Sequence, residues 1–122
     1  SAMTPAPDES RDKYAYESGK AVMEVIEKNL RPRDIVTKQS LINAAVVVSA
    51  SGGSTNAGLH LPAMAHEAGI EFTLEDVCKI FQSTPYIGNL APGGKYVAKD
   101  LYEVGGVSVL IKTLIDGGLI DG

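Results

Sequence analysis

Apolar positions along the chain recur at helical spacing and are interrupted by short polar stops. Between Asp8 or Ser10 and Leu30, the residues Ser18, Val22, Val25, Ile26 and Leu30 share one face while Glu24, Glu27 and Lys28 take the other. That pattern predicts a long amphipathic helix. Arg31-Pro32-Arg33-Asp34 is expected to end it, because proline disfavours helical geometry in the residue before it and has no N–H for a helix interior. Thr37 is placed to cap a second helix with Leu41, Ile42, Ala45 and Val46 on one face. The β-branched run Val46-Val47-Val48 also suits a buried strand; helix is the reading adopted for residues 44–49.

A third helix is expected from Asn56 to Ala68, closed by Gly69, with Pro62 bending or shortening its first turns. Thr73-Leu74-Glu75-Asp76 is a capping signature, and Val77, Ile80 and Phe81 follow it at i, i+3 and i+4. Thr84-Pro85 stops that helix, and Tyr86 to Tyr96 reads as a loop. Val97 to Val104 forms a short helix stopped by Gly105-Gly106. A last helix puts Val107, Leu110, Ile111 and Leu114 on one face and stops at Gly117-Gly118. The expected fold class is mainly α, with about six short-to-medium helices, no hairpin and no fixed-period repeat.

The sharpest break in the pattern is Ser51-Gly52-Gly53-Ser54-Thr55-Asn56, six small polar residues between two apolar stretches. Such a segment at a helix start offers backbone N–H groups, hydroxyls and the positive helix end to an anion. The same residues also suit a plain helix-turn-helix joint capped by Ser54 or Thr55.

Composition narrows the function. With 122 residues and 44% hydrophobic content, the chain has one domain's worth of core. A net charge of -4 and the lack of a Lys/Arg cluster beyond Arg31 and Arg33 argue against a nucleic-acid partner. No apolar run reaches the roughly 18 residues that cross a bilayer, so no membrane role and a cytoplasmic location are expected. The single cysteine, Cys78, excludes an internal disulfide and is no ligand set for zinc or an iron-sulfur cluster. Ser1-Ala2-Met3 reads as an expression scar and Thr4-Pro5-Ala6-Pro7 as a disordered lead-in, leaving residues 10–122 as the structured segment.

Several separated motifs, in order, resemble one enzyme family. They are Arg31-Pro32-Arg33-Asp34-Ile35-Val36-Thr37, Gly52-Gly53-Ser54-Thr55-Asn56 with Leu59-His60-Leu61, and Ala65-His66-Glu67-Ala68-Gly69-Ile70. Leu74-Glu75-Asp76, Thr84-Pro85-Tyr86, Leu90 to Tyr96, Asp100-Leu101 and Gly105-Gly106-Val107 continue the series. Together they resemble the dehydratases that include dihydroxy-acid, 6-phosphogluconate and aldonic-acid dehydratases. The resemblance covers nearly all of residues 10–122.

Family members are several times longer, so the resemblance implies a helical segment from the middle of such a chain, part of a larger α/β dehydratase domain. The implied reaction removes water from a 2,3-dihydroxy carboxylate, giving an enol that becomes a 2-oxo acid. It needs a base for the proton beside the carboxylate and a Lewis acid for the departing hydroxyl. In the family the Lewis acid is an iron-sulfur cluster with magnesium nearby; its cysteines lie upstream of the matched stretch and the serine proposed as base lies downstream. The resemblance therefore implies no cofactor in this segment, no catalytic or metal residue, and no activity alone. Its partners would be the remainder of the parent enzyme and a small 2,3-dihydroxy acid. Thr84-Pro85-Tyr86-Ile87 and Pro92-Gly93-Gly94-Lys95 lean toward the sugar-acid branch and leave branched-chain amino-acid biosynthesis open.

By that analogy Gly52, Gly53, Ser54, Thr55 and Asn56 are the candidate substrate-binding residues. The glycines permit close backbone approach, and the three side chains can hydrogen-bond hydroxyl or carboxylate oxygens. His60 and His66 are six apart and point to different faces, so they do not form a helical metal pair. His60 is expected to be partly buried and hydrogen-bonded, His66 to complement a helix C-terminus, and Glu75-Asp76 to be helix-start charges. Gly88 to Tyr96 fails as a phosphate loop because Tyr96 stands where Ser or Thr is required after Lys95. The alternative function is a noncatalytic helical domain that self-associates or binds a partner through exposed apolar faces.

Overall fold

Helix α3 (Lys38–Ser51) is the centre of the molecule, and the elements that matter for the candidate site hang from it. The computed structural model describes residues 4–121; the reading of Ser1-Ala2-Met3 as a scar lies outside the described residues. In chain order the other helices are α1 (Ser10–Glu27), α2 (Pro32–Ile35), α4 (Ala57–Ala68), α5 (Leu74–Ser83), α6 (Ala98–Glu103) and α7 (Val107–Asp116). The described residues hold no strand, and an isolated bridge joins Leu90 to Tyr96. The mainly α expectation holds, with seven helices among the described residues rather than about six. Residues 44–49 are helix.

α3 packs against α4, α5 and α7. One apolar cluster joins Leu41 and Ala45 of α3 to Leu61 and Ala65 of α4, with Phe72 and Val77 completing it. A second joins Val46 and Ala50 of α3 to Leu110 and Leu114 of α7. Small residues make these contacts close: Ala45, Ala50 and Ala65 are fully buried. Val46 is thus held in a helix by burial against α7, which outweighs its mild β preference.

The helix ends follow from capping chemistry. At α5, Thr73 Oγ1 accepts from Asp76 N at 3.3 Å while the Asp76 carboxylate accepts from Thr73 N at 2.8 Å, as the signature predicts. Thr37 and Ser40 form the same reciprocal arrangement at α3. The end of α1 differs from expectation: Asn29 takes a positive φ of 49°, and Leu30 N donates to Val25 O at 3.0 Å. That left-handed turn stops the helix before the proline is reached. Pro32 instead opens the one-turn α2, where its missing N–H costs nothing. α4 runs through Pro62 from Ala57 without being shortened.

α1 stands apart energetically. None of its residues is buried, and Val22, Met23 and Ile26 are 55%, 56% and 63% exposed. Its apolar stripe has no cover among the described residues. At the chain start, Thr4 is buried and its carbonyl accepts from Arg11 Nη1 at 3.4 Å.

Candidate functional site

The break between α3 and α4 is a tight, well-tied turn. Gly52 has φ 74°, and Gly53 N donates to Val48 O at 2.9 Å, which closes α3 with a left-handed stop. Ser51 is buried, and its hydroxyl donates back to Val48 O at 2.9 Å, so it turns away from the open side. Gly53, Ser54, Thr55 and Asn56 are exposed.

The expected cap by Ser54 or Thr55 is not formed: Asn56 stands at the N-cap of α4, and no side chain caps that helix. Ser54 Oγ accepts from Asn56 N at 3.2 Å, a local turn bond. The first amides of α4 are occupied: Ala57 N donates to Ser54 O, Gly58 N to Thr55 O and His60 N to Asn56 O. The amides of Ser54 and Thr55 have no acceptor among the described residues. Asn56, at the helix N-cap, makes no side-chain cap bond, which leaves its amide free to act outward. The chain therefore presents two backbone N–H groups, the Thr55 hydroxyl and the Asn56 amide on one exposed turn, a set of groups suited to carboxylate or hydroxyl oxygens.

A second segment braces that turn from behind. The loop after α5 crosses the C-terminus of α3, where Ala50 O accepts from Ile87 N at 2.8 Å and from Gly88 N at 2.7 Å. Ser51 O accepts from Leu90 N at 3.3 Å. These amides satisfy carbonyls that a helix end otherwise leaves unpaired. The contact is too close for a side chain at 88: a Cβ there would lie 2.9 Å from Ser51 Cα. The loop then folds on itself, with Gly94 N donating to Leu90 O at 2.8 Å and Tyr96 N to Asn89 O at 3.0 Å. Within the loop, the amides of Ala91, Gly94 and Tyr96 are spent on its own carbonyls.

On the far side of this loop, Ile87, Leu90, Leu101, Val104, Val109 and Leu110 line an apolar cavity of about 300 Å³. No local sequence signal marks it, because its walls come from the loop, α6 and α7.

The remaining candidates are dispersed. His60 is exposed beside Leu59, contrary to the expected partial burial, because α4 buries Leu61 and Ala65 and leaves the neighbouring face outward. No side-chain hydrogen bond of His60 occurs among the described residues. His66 is exposed in the last turn of α4, as its expected role at a helix C-terminus requires. Arg33 of α2 donates to Glu67 O in the same turn. Glu75 and Asp76 lie in the first turn of α5, and Cys78 is exposed on that helix. Among the described residues, no three His, Cys, Asp or Glu side chains gather as a metal site. With one exposed thiol, this chain does not fit an iron-sulfur cluster. No described helix is long and apolar enough to cross a membrane.

The comparisons with known proteins agree with the order of motifs. The chain is 66% identical over 122 residues to a dihydroxy-acid dehydratase of Pelagibacter ubique, covering 100% of this chain and 21% of that protein. It is 67% identical over 120 residues to one of Dinoroseobacter shibae, covering 98% of this chain and 21% of that protein. A dihydroxy-acid dehydratase of Sulfurisphaera tokodaii is 52% identical over 122 residues, covering 100% of this chain and 22% of that protein. The chain thus spans about a fifth of the length of these relatives. All three carry the dihydroxy-acid name, against the lean of Thr84 to Ile87 and Pro92 to Lys95 toward the sugar-acid branch. The family model described as dihydroxy-acid/6-phosphogluconate dehydratase, N-terminal, matches residues 1–122, so the segment belongs to the N-terminal part of such proteins rather than to the expected middle, and the chain belongs to that family.

Proposed function

We propose that this chain is a helical segment of the catalytic region of a hydro-lyase that converts 2,3-dihydroxy carboxylates to 2-oxo acids. Within it, Gly52 to Asn56 forms part of the substrate-site wall. The observation that carries the assignment is the exposed turn itself, with two unpaired amides and the Thr55 and Asn56 side chains held on a braced helix junction. The substrate bears a carboxylate and two hydroxyls, and these are the oxygens such donors recognise.

The turn binds and orients, but it does not move the proton. No base stands within it, and no metal-ligating group gathers among the described residues. In this reading the iron-sulfur cluster, magnesium and base belong to the rest of a cytoplasmic parent enzyme, and the segment alone is inactive. The relatives' names favour a dihydroxy acid of branched-chain amino-acid biosynthesis over an aldonic acid as substrate.

Iron and magnesium analysis, paired with 2-oxo acid formation from 2,3-dihydroxyisovalerate and a set of aldonic acids, tests this. The full-length parent is expected to turn over the dihydroxy acid, and the 122-residue chain to hold no cluster and form no product. Turnover by the chain alone overturns the segment reading. Preference of the parent for an aldonic acid overturns the substrate branch.

A second reading is favoured by α1, whose Val22, Met23 and Ile26 stay more than half exposed. Either the remainder of the parent covers that stripe, or a second copy does, making a homo-oligomer. Light scattering of the chain with and without the rest of the enzyme separates these. A monodisperse monomer that fails to complement a truncated parent counts against both.

A further inference from the structure

We propose that Tyr86 is a positioning residue for the Gly52–Asn56 turn, an inference that rests on the reading of that turn as substrate wall. The Tyr86 ring occupies the space that a side chain at Gly52 would need. A Cβ on Gly52 would stand 2.5 Å from Tyr86 Cε2 and 2.7 Å from its Oη. The same hydroxyl end of the ring meets Gly94, where an added Cβ would overlap the Tyr86 hydroxyl. The hydroxyl donates to Leu90 O at 3.3 Å. The hydroxyl end of the ring thus fills the space beside two glycines, one in the turn and one in the bracing loop.

The neighbouring residues fix its base. Ile87 and Gly88 donate their amides to Ala50 O, one residue before Ser51 and two before Gly52. Tyr86 is therefore tethered to the end of α3 through the backbone and to the turn through its ring. Yet it is 52% exposed and belongs to neither apolar cluster, so it contributes little to the core. A half-exposed ring held against a left-handed glycine restricts how the peptides after Gly52 point. Those are the peptides that aim the Ser54 and Thr55 amides. Freeing the ring lets the turn leave its productive orientation without unfolding the protein.

The test is kinetic and uses the full-length parent enzyme with 2,3-dihydroxyisovalerate. Tyr86→Ala is expected to raise KM about tenfold while kcat per folded molecule changes less than about threefold, because the turn binds without acting on the developing charge. Tyr86→Phe keeps the ring and is expected to retain KM near the parent value. Gly52→Ala, which displaces the ring, is expected to raise KM, and Gly52→Ala with Tyr86→Ala to raise it by less than the product of the two effects. Tyr86→Leu replaces Tyr86→Ala, with the same expectation, should the latter not accumulate. A merely structural tyrosine would lower the folded fraction and leave KM unchanged, and that result overturns the proposal. Ser54→Ala and Asn56→Ala are measured alongside. If they leave KM unchanged, the substrate-wall reading falls; if they raise it while the Tyr86 variants do not, only the present inference falls.

Discussion

Gly88→Ala probes the brace directly, because its effect is steric and needs no left-handed backbone. The added methyl would sit 2.9 Å from Ser51 Cα, 3.0 Å from Ser51 O and 3.3 Å from Ser51 C. Carbon atoms rest at about 3.5–4.0 Å, so loop and helix must separate by about 0.8 Å. Opened by that amount, the bonds from Ile87 N and Gly88 N to Ala50 O, now 2.8 and 2.7 Å, pass beyond useful length. Two net backbone bonds at about 1 kcal/mol each give a loss of about 2 kcal/mol, within the usual range for overpacking. For a chain of this size that lowers the melting temperature by about 6–10 °C. Thermal unfolding followed by far-UV circular dichroism measures it. Gly69→Ala is the control: φ is 73° and no atom lies within 4 Å of the added Cβ, so backbone strain of about 1–2 kcal/mol is its whole cost. An unchanged melting temperature for Gly88→Ala would show that the loop does not bear on α3, and the brace would be refuted.

Three further outcomes are expected. Thr37→Ala removes the acceptor for Ser40 N and is expected to cost about 1 kcal/mol in urea unfolding. The Asp76 carboxylate is held below its usual pKa by the Thr73 backbone N–H first, then by the Thr73 hydroxyl, with Lys38 and Lys79 adding to the effect. Its stabilisation is present above the ordinary carboxylate pKa and is lost as pH falls through the depressed folded value, so Asp76→Asn flattens the acid limb of a stability-against-pH curve. Val22→Glu with Ile26→Glu leaves the melting temperature of this chain unchanged, since both residues are exposed on α1. In the full-length parent, where the stripe is covered in the proposed reading, each lost side chain costs about 1.5–3 kcal/mol.

What the sequence discloses is set by how local the deciding chemistry is. Thr73 with Asp76, and Gly69 at the end of α4, are complete signatures within a few residues, and both helix ends lie where they predict. Asn29 shows the reverse case. Its left-handed turn ends α1, but asparagine is a weaker marker of that geometry than glycine, and Pro32 nearby is a louder stop. The exposure of His60 depends on which face of α4 meets α3, a tertiary fact that its leucine neighbours obscure. The turn at Gly52 to Asn56 was legible as a break, while its brace was not. Ile87 N and Ala50 O are far apart in sequence and meet through backbone atoms, so their trace is Gly88, which admits no side chain against Ser51.

The central claim is that the Gly52–Asn56 turn touches substrate in the intact dehydratase. Steady-state kinetics of Asn56→Ala in the full-length enzyme, measured beside its unfolding midpoint, tests this most directly. The account predicts a kcat/KM lowered by about tenfold, the worth of about one hydrogen bond to a charged group, at an unchanged midpoint. A lowered midpoint with unchanged kcat/KM per folded molecule would contradict it and make the turn a structural joint.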